Sequence, residues 1–590
     1  MIVEMKKVYV AVRWSDRERL LNTLGQLELV HIYPVDAERA QPDEQTVTTI
    51  DRIGRALQIL GQVSAAGAKP ATTVTEAVDE VLRLQREAAE LSSRLNSLHQ
   101  QVQRQEMWGQ MCLADVEQLK QRGVHVSFAS MRRDEVASIE ADCVEVLADQ
   151  GGGRVLVALA HGDDELTLPE GAQALELPNR DRPSLLAEAG EVDEKLQGHQ
   201  QRLAALAHLV EPMEQEKAHL EERAEYTKAL RSAVDTADVF AMQGWAPAED
   251  TDRLTAALAE QGVESAVEVG EAAPEEEPPT MVRYPKWAMP IKGLFNILGT
   301  VAGYREYDVS AAFMIALPLF AAMLVGDGGY GAVLLFGPLL MWRKVGPALG
   351  EEFTKLLMIV GAVAIVWGVL TANFFGVVLY EPWIPVNMSD ASRNLVMGIT
   401  FYIAAIHLSL AQLWRAVTVW PSLRALSGVG WGVFIWGMLG VVNYFVLNHP
   451  LDMSTPWPYL LLVGAVLAIV FEQPSKNPLK MLAMGLANFP LSMLSAFSDV
   501  ISYVRLMAVG LASGVLAASF NELALSTGSW LLAAPILVAG HGLNIGLALI
   551  ALFAHGVRLN MLEFSNNLGM QWSGYAYAPF AASHIEESKS

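Results

Sequence analysis

The chain has 590 residues, of which 52% are hydrophobic, and carries 65 acids against 42 bases. A net charge of −23 with no basic patch argues against a nucleic-acid binder. Two cysteines, Cys112 and Cys143, cannot make a disulfide framework, show no metal-ligand spacing, and suit a reducing cytosol.

The charge is unevenly spread. Only 14 acids and 12 bases fall after residue 300, so the first 300 residues carry −21 and the rest −2. A polar acidic half is joined to a hydrophobic half. The N-terminus, MIVEMKKVYVAVRW, is too short and too polar for a signal peptide, so the polar half is expected in the cytoplasm.

Residues 1–285 read as a stalk or collar domain. MKKVYVAVRW alternates polar and apolar residues as a strand does. Ser15 suits the N-cap of a helix carrying Leu20, Leu21, Leu24 and Leu27, and residues 30–34 read as a second strand. Residues 73–110 space Val78, Leu82, Leu91, Leu95 and Leu98 as a long helix does. Residues 185–232 repeat the style with Leu196, Leu203, Leu206, Leu209 and Leu220. Two such helices, about 75 residues apart, predict an antiparallel coiled-coil stalk. VHVSFASM, CVEVLAD and RVLVALAHG lie between them and predict a second α/β lobe at its far end. A further strand–helix–strand follows in DVFAMQGWAPAEDTDRLTAALAEQGVESAVEVG, then the acidic, Pro-rich EAAPEEEPPT. No phosphate loop, GxSxG or His/Cys cluster appears, so this half reads as a docking platform.

Residues 286–308 read as a linker or interfacial segment, and 309–580 as a membrane domain followed by a tail, 581–590. Apolar runs long enough to span a bilayer fall near 309–326, 328–342, 355–376, 395–419, 429–447, 458–471, 485–520 and 531–564. The sixth is short, and the last two are long enough to need strong tilt. The first two become separate spans if Gly326, Asp327, Gly328 and Gly329 form a hairpin turn. With that turn, Arg343, Lys344, Lys355, Arg415, Arg424, Lys476 and Lys480 share the cytoplasmic side, and only Arg393 lies outside. Eight spans with both termini cytoplasmic follow. The expected fold is mostly α, with N-terminal α/β lobes on the stalk and an eight-helix membrane domain ending in two long tilted helices.

SDVISYVRLMAVGLASGVLAASF, residues 498–520, places Arg505 in an apolar helix with no acid following until Glu522. At 100° per residue, Ser495, Ser498, Ser502, Arg505 and Ser513 fall within about 80° of one another. On the last helix His541, Asn544, His555 and Arg558 fall within about 100°, and Glu563 lies five residues beyond Arg558. Each serine alone suits helix packing. A stripe beside an arginine on both helices points instead to ion translocation. An arginine stays protonated and cannot carry the proton, but it favours the ionised form of a carboxylate that approaches it. These two helices offer Arg505 no obvious acid, so its partner is expected from another chain. The polar stripes then line two half-channels that do not meet.

SYVRLMAVGLA (502–512) and AHGVRLNMLEF (554–564), the latter leading to YAYAPF (575–580), resemble the two arginine signatures of a known family. It is the membrane stator subunit of V-type and archaeal A-type rotary ATPases, called subunit a or subunit I. MLVGDGGYGAVLL (323–335), GVLTANFFG (368–376), MQGWAP (242–247) and EPPT (277–280) resemble further family motifs in the same order. The resemblance implies a multi-pass protein of the cell's inner (plasma) membrane, non-catalytic, without cofactor or metal. It implies that Arg505 and Arg558 face the carboxylate of a rotor ring of proteolipid c/K subunits. The implied partners also include the peripheral-stalk E/G subunits, the central-axle seat d/C and membrane lipid. Some relatives carry a membrane glutamate where this chain has Ala548, so Ser495, Ser498, Ser502, Ser513, His541, Asn544, His555 and Glu563 remain as candidate lining. H⁺ and Na⁺ both stay open as the coupled ion. The alternative is a secondary transporter with a cytoplasmic regulatory coiled-coil domain, which predicts inverted repeats that the spans do not show.

Overall fold

The computed structural model describes residues 1–581 apart from 37, 68, 110, 140, 163–167, 170, 237, 475 and 476. Lys476 and the tail from 582 lie outside the described residues. The first sheet is built from two segments of the polar half that lie about 200 residues apart. Strand β1 (Met5–Arg13), helix α1 (Arg17–Leu27) and strand β2 (His31–Tyr33) form over the stretch that the pattern predicts. β1 and β2 do not pair with each other. They are interleaved with β7 (Val239–Pro247), α6 (Thr251–Glu260) and β8 (Ser265–Glu271), in the order β2-β7-β1-β8, all antiparallel. This is a split β-α-β arrangement. Alternation along β1 turns Val8, Val10 and Val12 inward, where they pack with Leu20, Leu21 and Leu24 of α1 and Leu254 and Leu258 of α6.

The helical arm is inserted between these segments. It comprises α2 (Glu44–Leu60), α3 (Val74–Arg104), α4 (Arg182–Leu206) and α5 (Val210–Arg231). Thr73 and Glu76 close a capping box at the start of α3. Ion pairs set the direction of α4 against α3: Arg94 meets Glu188 at 2.6 Å and Arg202 meets Glu80 at 2.7 Å, so the two helices run antiparallel. Leu91, Leu95, Leu98 and Val102 pack on Leu185, Ala189, Val192 and Leu196 beneath them. The segment joining α3 to α4 folds β3 (His125–Arg132), β4 (Cys143–Gly151), β5 (Arg154–His161) and β6 (Gln173–Leu175) into an antiparallel sheet of order β4-β5-β3-β6.

After α7 (Ile291–Leu298) come α8 (Ser310–Val325), α9 (Gly328–Leu340), α10 (Trp342–Leu349), α11 (Glu351–Thr371), α12 (Asp390–Val419), α13 (Arg424–Leu447), α14 (Trp457–Phe471), α15 (Pro478–Ser502), α16 (Val504–Ser526) and α17 (Trp530–Ala551). By length and composition, five helices among the described residues can cross a membrane: Glu351–Thr371, Asp390–Val419, Arg424–Leu447, Pro478–Ser526 and Trp530–Leu568. A sixth is added if α9 and α10, bent by 97°, count as one span, while α8 and α14 are apolar but shorter. The protein is therefore membrane-embedded.

The turn at 326–329 separates α8 from α9. Gly326 takes φ +67°, and a Cβ there would stand 2.9 Å from the Gly510 carbonyl oxygen of α16, so glycine answers both demands. Asp327 is buried and accepts four backbone N–H groups: Gly329 at 2.7 Å, Tyr330 at 3.1 Å, and Phe375 and Gly376 at 2.8 Å each. One carboxylate thus caps α9 and ties it to the tight turn that follows α11.

The chain end returns to the first sheet. Tyr577 Oη donates to the Leu29 carbonyl at 2.6 Å, and the Phe580 N–H donates to the Val30 carbonyl at 2.8 Å. Phe580 joins the core between that sheet and its helices. The Ala578 N–H donates to Nδ1 of His31 at 3.1 Å.

Two outcomes are expected. Asp327→Asn places an amide NH₂ against at least one of the four donors, leaving a buried N–H unmatched at a cost of about 1–3 kcal/mol. The unfolding midpoint of the purified chain in detergent should fall accordingly, and an unchanged midpoint would refute the assignment. Burial lowers the His31 pKa from its ordinary 6.5, so the undocked imidazole binds protons more readily than the docked one. Docking of 575–580 is then fully stable above about pH 6.5 and weakens as pH falls below it towards the lowered value. Hydrogen exchange at Ala578 and Phe580, corrected for intrinsic rates, should show protection lost in that direction.

Candidate functional site

The last two long helices bring together residues that lie far apart in the chain. α15 and α16 meet at Tyr503, where the regular helix is interrupted for one residue. Tyr503 is buried, and its hydroxyl pairs with Nδ1 of His407 on α12 at 2.7 Å. His407 stacks at 4.5 Å on Phe564 of the last helix. This aromatic wedge fixes the two helices beside Arg505.

Arg505 is not alone. Its Nη2 donates to Oε1 of Glu563 at 2.8 Å, and its Nε donates to the Ser502 carbonyl at 2.9 Å. The expectation that this chain supplies Arg505 with no acid is corrected here. The acid comes from 58 residues further on, where the returning helix crosses the break. Arg558 Nε lies 3.8 Å from the same Glu563 oxygen. The Glu563 side chain is 6% exposed, Arg505 24% and Arg558 53%. One buried carboxylate therefore sits between two guanidinium groups that reach the surface.

Helix phase explains why spacing did not reveal this. Were the last helix regular, Glu563 would stand about 140° around it from Arg558. Instead α17 passes into π turns at Leu552–Gly556 and Leu559–Phe564. An i→i+5 turn brings residues five apart onto one face, and Arg558 and Glu563 are five apart. The 100° stripe is corrected for the same reason: π turns rotate His555 and Arg558 relative to His541 and Asn544. Asn567 extends the cluster, donating to the Glu563 carbonyl at 2.7 Å and to Asp499 Oδ2 at 2.9 Å while accepting from Gln412 at 2.8 Å.

A second polar cluster lies further along both helices. Ser513 Oγ donates to the Val325 carbonyl at 3.1 Å and to Asn544 Oδ1 at 3.3 Å. Asn544 Nδ2 donates to the Ser513 carbonyl at 2.9 Å and to the Tyr330 hydroxyl at 3.0 Å. The Tyr330 hydroxyl meets His541 Nδ1 at 2.8 Å, and His541 Nε2 meets Asn521 Oδ1 at 3.1 Å. The donors set a consistent tautomer: tyrosine donates to Nδ1, and Nε2–H donates to Asn521. Asn521 in turn donates to the Phe375 carbonyl at 2.7 Å.

Between the clusters both helices are apolar, over LMAVGLA (506–512) and IGLALIALFA (545–554). Of the residues singled out in the sequence, Arg505, Arg558 and Glu563 gather in the first cluster, and Ser513, His541 and Asn544 in the second. Ser502 contributes its carbonyl. Ser495 and Ser498 are exposed on α15, outside both clusters, and His555 stands three residues before Arg558, at the edge of the first cluster. Tyr330, Asn521, Asp499, Asn567, Gln412 and His407 were not singled out. Each is a polar side chain in or beside an apolar run, and that was the available signal.

No family model matches the chain. Among curated proteins it is similar to "V-type ATP synthase subunit I 1" of Treponema pallidum, at 30% identity over 98% of this chain and 100% of that one. It is also similar to the V-type ATP synthase subunit I of Borreliella burgdorferi, at 28% over 98% and 99% of the two chains. The A-type ATP synthase subunit I of Methanocaldococcus jannaschii matches at 23% over 58% of this chain and 55% of that one. An end-to-end match at this identity, in a membrane-embedded chain whose paired arginines lie on its last two long helices, settles the family. The chain belongs to subunit I of the V- and A-type ATP synthases.

Proposed function

We propose that this subunit is the ion-translocating stator of its rotary complex, and that Arg505 and Arg558 face a carboxylate carried past them by a rotor ring of proteolipid subunits. The observation that carries the reading is where the two guanidinium groups stand. They lie on the two least covered of the long apolar helices, with 33% and 28% of the apolar stretch buried against 50–67% in the other three. Leu491, Leu494, Leu543, Leu547 and Ile550 are exposed on the same two helices. An apolar face with two cations set into it suits a partner that is itself apolar and carries one acid.

The two clusters are the inner ends of two half-channels. The Ser513–Asn544–Tyr330–His541–Asn521 network serves one side of the membrane. The Glu563–Asn567–Asp499 cluster, with Ser495 and Ser498 beyond it, serves the other. The apolar stretch between them stops an ion from crossing without riding on the rotor. Arg505, always charged, makes the arriving carboxylate give up its ion.

The reading includes eight spans, with the shorter apolar helices α8 and α14 and the pair α9–α10 counted as spans. Both termini are cytoplasmic, and the bases at 343, 344, 355, 415, 424 and 480 lie on that side. Residues 1–285 then form a cytoplasmic arm with a coiled-coil stalk that docks peripheral-stalk E/G subunits and the central-axle seat d/C. The subunit itself hydrolyses no nucleotide.

Arg505→Ala should abolish ion-coupled ATP hydrolysis or synthesis in the reconstituted complex while rotor ring and catalytic subunits still copurify with the tagged chain. Arg558→Ala should give a milder or similar defect. Normal coupled transport with Arg505→Ala would sink the mechanism.

A further inference from the structure

We infer that Glu563 is the resident counterion of Arg505, and that it hands the arginine over to each arriving carboxylate and takes it back afterwards. The inference rests on the reading above and adds to it a residue that works by exchange rather than by lining a path.

The geometry supports exchange. Glu563 is within hydrogen-bond distance of Arg505, at 2.8 Å, and only 3.8 Å from Arg558. Its second oxygen, Oε2, is buried with no hydrogen-bond partner among the described residues. A shift of about 1 Å turns the carboxylate from Arg505 towards Arg558 without leaving it unpaired, and hydrogen bonds of ordinary length form at either end. Arg505 stays anchored through Nε to the Ser502 carbonyl while its outer nitrogens change partner. Both arginines reach the uncovered face, and Glu563 does not.

The charges support it too. Counting the groups in direct ion-pair contact, two guanidinium groups and one carboxylate leave a single net positive charge. Asp499 is joined to them only through the Asn567 amide and keeps its charge in every variant compared. One arriving carboxylate neutralises the net charge and one departing carboxylate restores it. Without Glu563 the pair would carry two uncompensated charges at an apolar face and would hold the rotor acid too tightly to release it. Without Arg558 the remaining pair would be neutral and would pull weakly. Between arrivals, Glu563 spares Arg505 the cost of an unmatched cation in a low-dielectric site. The π turn has a role in this account, since it sets Glu563 on the Arg558 face.

The test uses the intact complex in vesicles and measures ATP-driven ion uptake per assembled complex. Arg505→Ala is the control for the underlying reading, and uptake surviving there overturns that reading rather than this one. With the control inactive, Glu563→Gln and Arg558→Gln are each expected to lower uptake at least about tenfold, the rate factor given by about 1.4 kcal/mol on the barrier. The double variant restores the net single charge and is expected to exceed both single variants, which a purely structural role for Glu563 does not produce. Any other order of the three rates overturns the inference, as does a Glu563→Gln variant at the wild-type rate. If glutamine at 563 impairs assembly, Glu563→Asp carries the test. Uptake within about threefold of wild type supports retention of the charge, and a loss as deep as that of Arg505→Ala overturns it.

Discussion

A guanidinium group cannot lose its charge, and in an apolar helix it has to be matched by something. The Arg505–Glu563 pair is the interaction around which the membrane half is arranged. To bring an acid 58 residues away into hydrogen-bond range, the last two helices have to run antiparallel with a fixed register. The register is held by the break at Tyr503, by the His407–Phe564 stack, and by two π turns in the returning helix. The break at Tyr503 and the two π turns, three departures from regular helix geometry, lie around this one pair.

The rest of the membrane half presents those helices at the right distance. Asp327 draws the start of α9 and the turn after α11 onto one carboxylate, and Gly326 lets the α16 backbone at Gly510 come close. That approach sets Ser513 against the end of α8, and from there the network runs through Asn544, Tyr330, His541 and Asn521. Two motifs separated by some 40 residues, GDGGYG and TANFFG, are therefore one structural unit. Together they place the Tyr330 hydroxyl and the Phe375 carbonyl in the second polar cluster.

The two halves of the molecule are tied where the chain ends. After the last helix, residues 575–580 cross to the first sheet and bury Phe580 in its core. Thr280, at the end of the acidic linker, pairs with Ala576 of the same segment. A force on the arm is thus passed towards the helix bearing Arg558 and Glu563 through hydrogen bonds and a buried ring as well as through one covalent connection. Under the proposed stator role, such a joint helps hold the subunit still beside the rotor.

By itself the sequence determined the partition into an acidic polar half and an apolar half, the long arm helix α3, the turn at 326–329, and the presence of two arginines where cations are costly. These are local properties: charge counts, periods of two and 3.6, glycines at a turn, and hydropathy over a span. The second arm helix expected over 185–232 is instead two helices, α4 and α5, broken at Ala207–Leu209, and α2 was not anticipated. Only the tertiary structure decided that β1 and β2 are separated by a strand from residue 239 onwards, because strand order depends on partners distant in the chain. It also decided that Arg505 has an acid of its own. Spacing arguments assume 100° per residue, and the π turns invalidate that assumption at Arg558 and Glu563. Tyr330, Asn521 and Asn567 escaped for a related reason: a lone polar residue in an apolar run acquires meaning only when packing sets its partner opposite it.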